Sequence, residues 1–329
     1  MRRVLIGFGA LNLDLIYEVE DLRSISSNEF RFLPGEELFD DEEAFQFLWN
    51  QLHRFGRLKS KSGGGSAANT MVALARMGFQ TKFIGKVGQD EEGDFLIENL
   101  KPVQTDLIRR DERSGICLVV LDRHQDRFLF VKGGANNLLR FEEIDVTGLQ
   151  DVSCLHLTSF IGDSPLEAQK KLLERIDSSV LVSLDPGEIY AKKGLTKICA
   201  LIERTQILFL TEKELTLLTS KDLLTGAKMI LEMGPSILIC KKGKKGSQVF
   251  TCNDHFEVPA MEVEVVDNTG AGDVYNAGFL AGYLLGRPLE ECALFATQMA
   301  AKSITGYGRE KYPTREDLEG FFQVLEGFR

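Results

Sequence analysis

Positive charge is in short supply. The 39 Lys and Arg face 49 Asp and Glu, leaving a formal net charge of −10 over 329 residues. General nucleic-acid binding needs a basic face and is excluded on this count; an anionic ligand has to be met by local positive groups. Cysteine is scarce and unpatterned. The six cysteines, at 117, 154, 199, 240, 252 and 292, show no C-x-x-C spacing, and Cys240 closes the apolar run Ile237-Leu-Ile-Cys240. That is the pattern of buried free thiols in a reducing compartment, not of a zinc site. Long hydrophobic runs are missing too, so no membrane span is expected. At the N-terminus Arg2 and Arg3 precede only three apolar residues before Gly7. This is too short for a signal peptide and reads as a first strand. Internal repeats, linkers and low-complexity segments are absent. The expectation is a soluble cytoplasmic protein with neither nucleic-acid nor membrane partners. At 43% hydrophobic it has ample core for one large domain, or one plus a small one.

What is present concentrates at Asp267-Asn-Thr-Gly-Ala-Gly-Asp273. Val263, Val265 and Val266 read as a strand ending, and Val274, Ala277, Gly278, Ala281, Leu284 and Leu285 as a helix that follows at once. Gly270 and Gly272 permit a tight bend and close approach to a ligand. A new helix offers unpaired N–H groups and the positive end of its dipole, which is an anion site. Asp273 sits beside those amides, where a carboxylate can act as a base. Amides for a developing negative charge, with a base next to them, form a phosphoryl-transfer layout. By spacing alone Asp273 also fits a simple helix-start residue.

Elsewhere the chain reads as follows. Residues 4–10 form a short buried strand, with Asn12 and Asp14 after its carboxyl end, where α/β sheets bind ligands; Asp14 is equally a turn residue. Residues 20–62 are acidic, carry a helix over 42–55 with Phe45, Phe47, Trp49 and Phe55, and end in the basic run Arg57-Leu-Lys-Ser-Lys61. Three glycines, Gly63 to Gly65, precede a helix patterned through Ala68, Met71, Val72 and Ala75, which Gly78 stops. Residues 115–131 alternate as a β-hairpin around a turn at 123–126. From residue 150 short apolar strands (152–157, 180–184, 207–210, 236–240) alternate with helices (166–176, 195–204, 212–219, 222–233). That order predicts an α/β fold, a mostly parallel sheet covered on both faces. Thr211 and Glu214 fit a capping box, Lys241-Lys-Gly-Lys-Lys-Gly246 a solvated hairpin turn, 290–308 an apolar helix running to a glycine-rich end, and 314–328 a closing amphipathic helix.

Two of these stretches, Asp267 to Asp273 and Gly63-Gly-Gly-Ser-Ala-Ala-Asn69 with its helix, resemble the paired signatures of the PfkB/ribokinase family of sugar and nucleoside kinases. The resemblance spans about residues 3–320. It implies a ribokinase-like fold with a small β-sheet lid, formed by about 12–62 and 105–135 within a single kinase domain. It implies ATP and Mg²⁺ as cofactors, and transfer of a phosphoryl group to a substrate hydroxyl. Asp273 would be the base, with Gly270, Ala271 and Gly272 making the anion hole. Asn12, Asp14, Gly64, Gly65 and Asn69 would bind the substrate. Lys241, Gly243, Gly246 and Thr269 would lie by the nucleotide, and Glu214 would reach the metal through water. Arg127 has a frequent family counterpart and reads as structural. Thr211 stands where the family usually has Asn, and Thr297 and Gln298 where Asn is common. A neutral sugar is the first expectation for the substrate. The long 20–62 segment resembles the adenosine-kinase-like branch and also fits a nucleoside. A non-catalytic sugar- or nucleotide-binding regulator is the reading from another class, and two copies could pair through an exposed lid strand.

Overall fold

The computed structural model describes residues 4–124, 127–149 and 151–327. Met1 to Arg3, Gln125 and Asp126 of the expected hairpin turn, and Phe328 of the expected last helix lie outside the described residues. Fourteen strands are described: β1 (Val4–Phe8), β2 (Asn12–Glu18), β3 (Glu37–Phe39), β4 (Arg57–Gly64), β5 (Gln80–Val87), β6 (Ile108–Arg110), β7 (Gly115–Leu121), β8 (Arg127–Lys132), β9 (Val152–Thr158), β10 (Leu181–Asp185), β11 (Ile207–Thr211), β12 (Ile237–Lys241), β13 (Ser247–Thr251) and β14 (His255–Val258). Eleven α-helices accompany them: α1 (Glu42–Phe55), α2 (Ser66–Arg76), α3 (Glu91–Asn99), α4 (Asp163–Leu173), α5 (Gly187–Lys193), α6 (Leu195–Arg204), α7 (Glu212–Thr219), α8 (Leu223–Leu231), α9 (Ala271–Leu284), α10 (Leu289–Ser303) and α11 (Arg315–Gly327).

Nine strands form one sheet in the order β14-β13-β12-β11-β10-β9-β1-β5-β6. Every pairing from β12 to β6 is parallel; only β13 and β14 run antiparallel. The parallel strands are apolar on both sides, because helices cover both faces. Residues of α2, α9, α10 and α11 pack on one face around Phe83, Phe209 and Phe279. Residues of α4 to α8 pack on the other around Phe8, Leu184 and Leu208. This is the α/β architecture expected from the alternation after residue 150.

Five strands form a second sheet in the order β3-β8-β7-β2-β4. Its faces differ, and the alternation along each strand decides which residue goes where. Leu13, Leu15, Tyr17, Leu118, Val120, Phe128 and Phe130 point outward and are buried under Phe45, Leu48 and Leu52 of α1. Asp41 caps α1 by accepting from Ala44 N at 3.0 Å, and Glu42 and Glu43 against His53 and Arg54 complement its dipole. The 20–62 segment thus supplies a cover for the small sheet. Phe45 serves that packing, while Phe55 is 58% exposed at the helix end.

Three expectations differ from what is found. Asn12 and Asp14 do not lie in a turn after β1; they are inside β2, which the apolar alternation Leu13-x-Leu15-x-Tyr17 makes a strand of the small sheet. Val263 to Val266 form no strand, because no neighbouring strand accepts them; Val265 is 53% exposed, and Val266 N donates instead to Ile304 O at 2.8 Å. Ile108–Arg110, within the 105–135 segment expected in the lid, pairs with β5 of the large sheet.

Candidate active site

The start of α9 faces the carboxyl ends of the parallel strands. Gly270 precedes it in the left-handed region, φ 76°, which only glycine adopts without strain. A side chain there would also meet Tyr312 Oη. Asp267 holds the loop from both sides: Oδ1 accepts from Thr269 N at 2.9 Å and Oδ2 from Gly308 N at 3.1 Å. The amides of Ala271, Gly272 and Asp273 are among those a helix leaves without an internal acceptor in its first turn.

Asp273 is part-buried in its hydrogen bonding, with Oδ2 accepting from Asn69 Nδ2 at 2.8 Å, while Asp273 O accepts from Thr70 Oγ1 at 3.2 Å. Helix α2 therefore docks on α9 at the reactive carboxylate. Burial pushes the Asp273 carboxyl up to about 7, against the Asn69 hydrogen bond, which lowers it. Asp14 is also raised to about 7 by burial, although Arg127 and Arg309 pull it down. Any Cβ on Gly64 would collide with the Asp14 carboxylate, and one on Gly65, φ 110°, with Ala10 O. These two glycines let β4 turn into α2 right beside Asp14.

A cavity of about 310 Å³ lies between the two sheets. Its lining brings together Asn12, Asp14, Gly65, Asn69, Thr269, Gly270, Ala271, Gly272 and Asp273 from the expected set, and adds Glu37, Arg127 and Asn136. Asn136 orders the joint between the sheets: its Oδ1 accepts from Leu11 N at 2.8 Å, and its Nδ2 donates to Leu11 O at 2.8 Å and to Asn12 Oδ1 at 3.0 Å. A wider groove of about 420 Å³, lined by Met77, Phe79, Leu285 and Phe322 among others, lies apart from all these residues and gathers no such set of polar groups.

The remaining expected residues stand behind the α9 loop. Lys241 ends β12, and its Nζ lies 2.5 Å from Asp185 Oδ2 and 3.4 Å from Asn276 Oδ1. A Cβ on Gly272 would come 3.3 Å from that Nζ, so the cation is adjacent to the helix start. Burial opposes the Lys241 charge, but Asp185 and Glu214 more than offset it and its pKa is raised. Glu214 is one turn away, with its carboxyl raised by burial and by Asp185. Its Oε2 accepts from Thr211 N at 2.7 Å and its N–H donates to Thr211 Oγ1 at 3.2 Å, a complete capping box. Gly243 and Gly246 shape the β12–β13 hairpin, with φ of 56° and 90°, and neither lines the cavity. Among the described residues no cluster of three or more His, Cys, Asp and Glu could hold a metal directly.

Sequence reasoning missed three participants. Asp185 was visible only as a strand end, and nothing in Asp-Pro-Gly announces Lys241 and Asn276 as its partners. Arg309 follows the Gly306-Tyr-Gly308 motif; its Nε and Nη2 donate to Asn69 Oδ1 at 3.1 and 2.9 Å, and its Nη1 to Asn99 O at 2.6 Å. Glu37 comes from β3 of the long segment and carried no signal beyond its charge.

Two sheets hinged around a buried acid at a helix start define a phosphotransferase. Residues 37–315 match the pfkB family carbohydrate kinase, and the chain belongs to that family. It is similar to an uncharacterized sugar kinase of Archaeoglobus fulgidus, 39% identical over 253 residues, which are 75% of this chain and all of that one. Among solved structures, adenosine kinase from Sinorhizobium meliloti superposes with a TM-score of 0.85 at 20% identity, covering 98% of this chain and 100% of that one. Ribokinase from Arabidopsis thaliana, complexed with ribose and ATP, superposes with a TM-score of 0.76 at 23% identity, covering 98% and 99%. The fold is therefore ribokinase-like, as the two signatures implied. Among the described residues no helix is long and apolar enough to cross a membrane.

Proposed function

We propose that the chain transfers the γ-phosphoryl group of ATP to a hydroxyl of a sugar ring held in the cavity between the sheets. The observation that carries this reading is Asp273: a buried carboxylate at a helix start, raised to about 7, in the same cavity as Asp14 and Asn69. A base works best with a pKa near the working pH. Asp273 takes the proton of the attacking hydroxyl. The amides of Gly270, Ala271, Gly272 and Asp273 meet the charge that develops on the transferred oxygens, with Lys241 next to Gly272. Asn12, Asp14, Gly65 and Asn69 hold the ring, and Gly64 leaves room for Asp14. Thr269 and the turn at Gly243 and Gly246 flank the nucleotide side. The donor set fits Mg²⁺ only at one remove. Glu214 and Asp185 would meet waters of an ion carried on the ATP phosphates, and that ion supplies charge neutralisation.

A cytoplasmic location accords with the thiols, of which Cys117, Cys154, Cys240 and Cys292 are buried and all six are free. Pairing of two copies through the lid would have to use the β4 edge, since α1 covers the outer face. Arg57, Lys59 and Lys61 stand on that edge, the kind of residues that discourage strand addition. Light scattering distinguishes one 36.8 kDa chain from two.

The test is an ADP-release assay with ATP, Mg²⁺ and panels of free sugars, sugar phosphates and nucleosides. Turnover with one acceptor class supports the reading. Silence across every panel, from protein that still binds ATP, overturns it.

A further inference from the structure

The cavity is longer than a single sugar ring requires. Its polar end is at Asp14, Asn69 and Asp273. From there the inner face of the lid can be followed strand by strand. Asp14 on β2 pairs with Cys117 on β7, Cys117 with Val131 on β8, and Val131 with Phe39 on β3. In the next row Leu129 on β8 pairs with Glu37 on β3. Neighbouring strands stand about 4.8 Å apart, so β3 lies roughly 14 Å from β2. The wall between is apolar. Leu129 and Val131 of the lid look across at Ile161 and Ile189 of the large domain, and all four line the cavity. At the far end polarity returns as Glu37 and Arg127, which are close enough to act on each other electrostatically. The Nε of Arg127 is buried and has no hydrogen-bond partner among the described residues. A buried donor of this kind is costly unless something accepts from it.

An acceptor for this site must therefore be polar, then apolar on two faces, then polar again. A free sugar has hydroxyls throughout and would waste the apolar wall. A sugar phosphate would place its anion near Glu37 or Asp14. Resting on the phosphotransfer reading above, we propose that the acceptor is a nucleoside. Its sugar lies at Asp14 and Asn69, its planar base lies between Leu129 and Ile161, and the base edge donates to Glu37 and accepts from Arg127 Nε. The sugar hydroxyl oxygen forms the new bond to the γ-phosphorus, the bridging bond to the β-phosphate oxygen breaks, ADP leaves with that electron pair, and Asp273 receives the proton. The strand of the long 20–62 segment that carries Glu37 thereby sets which acceptor is used.

The experiment compares kcat/KM for ribose, ribose phosphates and the common nucleosides in the full-length protein, then repeats the comparison in Glu37→Ala and Arg127→Ala. At least one nucleoside is expected to exceed ribose by about 100-fold, since a site built to hydrogen-bond a group discriminates strongly against its absence. Each variant is expected to cut that nucleoside-to-ribose ratio by about 10-fold or more, a loss of roughly one buried hydrogen bond. Calorimetric titration with the nucleoside should show the same weakening in whichever variant is well folded by circular dichroism. A free sugar or sugar phosphate that outruns every nucleoside overturns the proposal and leaves phosphotransfer standing. An unchanged ratio in both variants overturns the assignment of Glu37 and Arg127. No turnover with any acceptor, from protein that binds ATP, overturns both this proposal and the phosphotransfer reading.

Discussion

Asn69 and Asp273, separated by 204 positions in sequence, are joined by a hydrogen bond of 2.8 Å from Nδ2 to Oδ2. The orientation of that amide is fixed from its other side. Arg309 has only donors, and both that reach Asn69 converge on Oδ1, so Nδ2 must face the carboxylate. Removing the donor in Asn69→Ala takes away a bond that holds the Asp273 pKa down against burial. The acid limb of the pH–rate profile should then move to higher pH, with kcat at neutral pH down about 10-fold or more, in line with the worth of a charge-assisted bond. Arg309→Lys cannot offer two donors in a fork, and should move the limb in the same direction by less. An acid limb that stays in place in both variants refutes the relay.

Asp273→Asn keeps shape and removes the base. ATP binding should survive, and kcat should drop by about 10²- to 10⁴-fold, the usual contribution of general-base catalysis. Turnover close to wild type in that variant would remove Asp273 from the proposed role.

The same carboxylates cost stability. Asp14 and Asp273 have folded pKa values of about 7 against a model value of 3.8. Between about pH 4 and 7 the folded chain holds protons that the unfolded chain releases, so the unfolding free energy falls as pH rises through that window. Above pH 7 the cost is complete, with an upper bound near 4 kcal/mol per group at about 1.4 kcal/mol per unit. Asp14→Asn and Asp273→Asn should each raise Tm at pH 8 and leave it little changed at pH 4. Thermal melts at the two pH values check this, and an equal or lower Tm at pH 8 counts against it.

Glu214 has two proposed tasks, and one substitution separates them. Gln at 214 can still accept from Thr211 N, so Glu214→Gln should keep Tm close to wild type. Without the charge it should raise the Mg²⁺ concentration needed for half-maximal rate several-fold. Thr211→Ala breaks the cap itself and should cost about 0.5–2 kcal/mol. A Mg²⁺ titration identical to wild type in Glu214→Gln would confine this residue to capping.

Much of this was legible in sequence because its causes are local. Helix α1 announces itself by Asp41 as cap, acidic residues in its first turn and basic ones in its last; α7 does so by Thr211 and Glu214. The two glycine-rich signatures pointed to the residues around Asp273 and Asn69 because glycine marks where backbone must approach a ligand. What stayed hidden depends on distant pairing. Period-2 alternation reads the same at Asn12–Glu18 and at 263–266, yet only the first has partners, β4 and β7. Lys241, Asp185 and Asn276 meet from three separate elements, and Arg309 reaches Asn69 from 240 positions away. No window of sequence contains either arrangement.

The small sheet carries its own apolar interior, with Phe32, Phe45, Phe128 and Phe130 buried between β-strands and α1. Such a body resists bending and transmits rotation as a lever does. Movement relative to the large domain is then taken up at the short connections near Ala10, Gly65 and Gly133, all at the Asp14 end of the cavity. A few degrees there leave the sugar-side residues almost in place and produce their largest excursion at β3. At that tip Phe39 lies 5.2 Å from Lys192 Nζ across the gap, a contact between the two bodies. Entry is therefore widest at the end of the cavity farthest from the reactive carboxylate, and a long acceptor would be threaded in with its reacting end first.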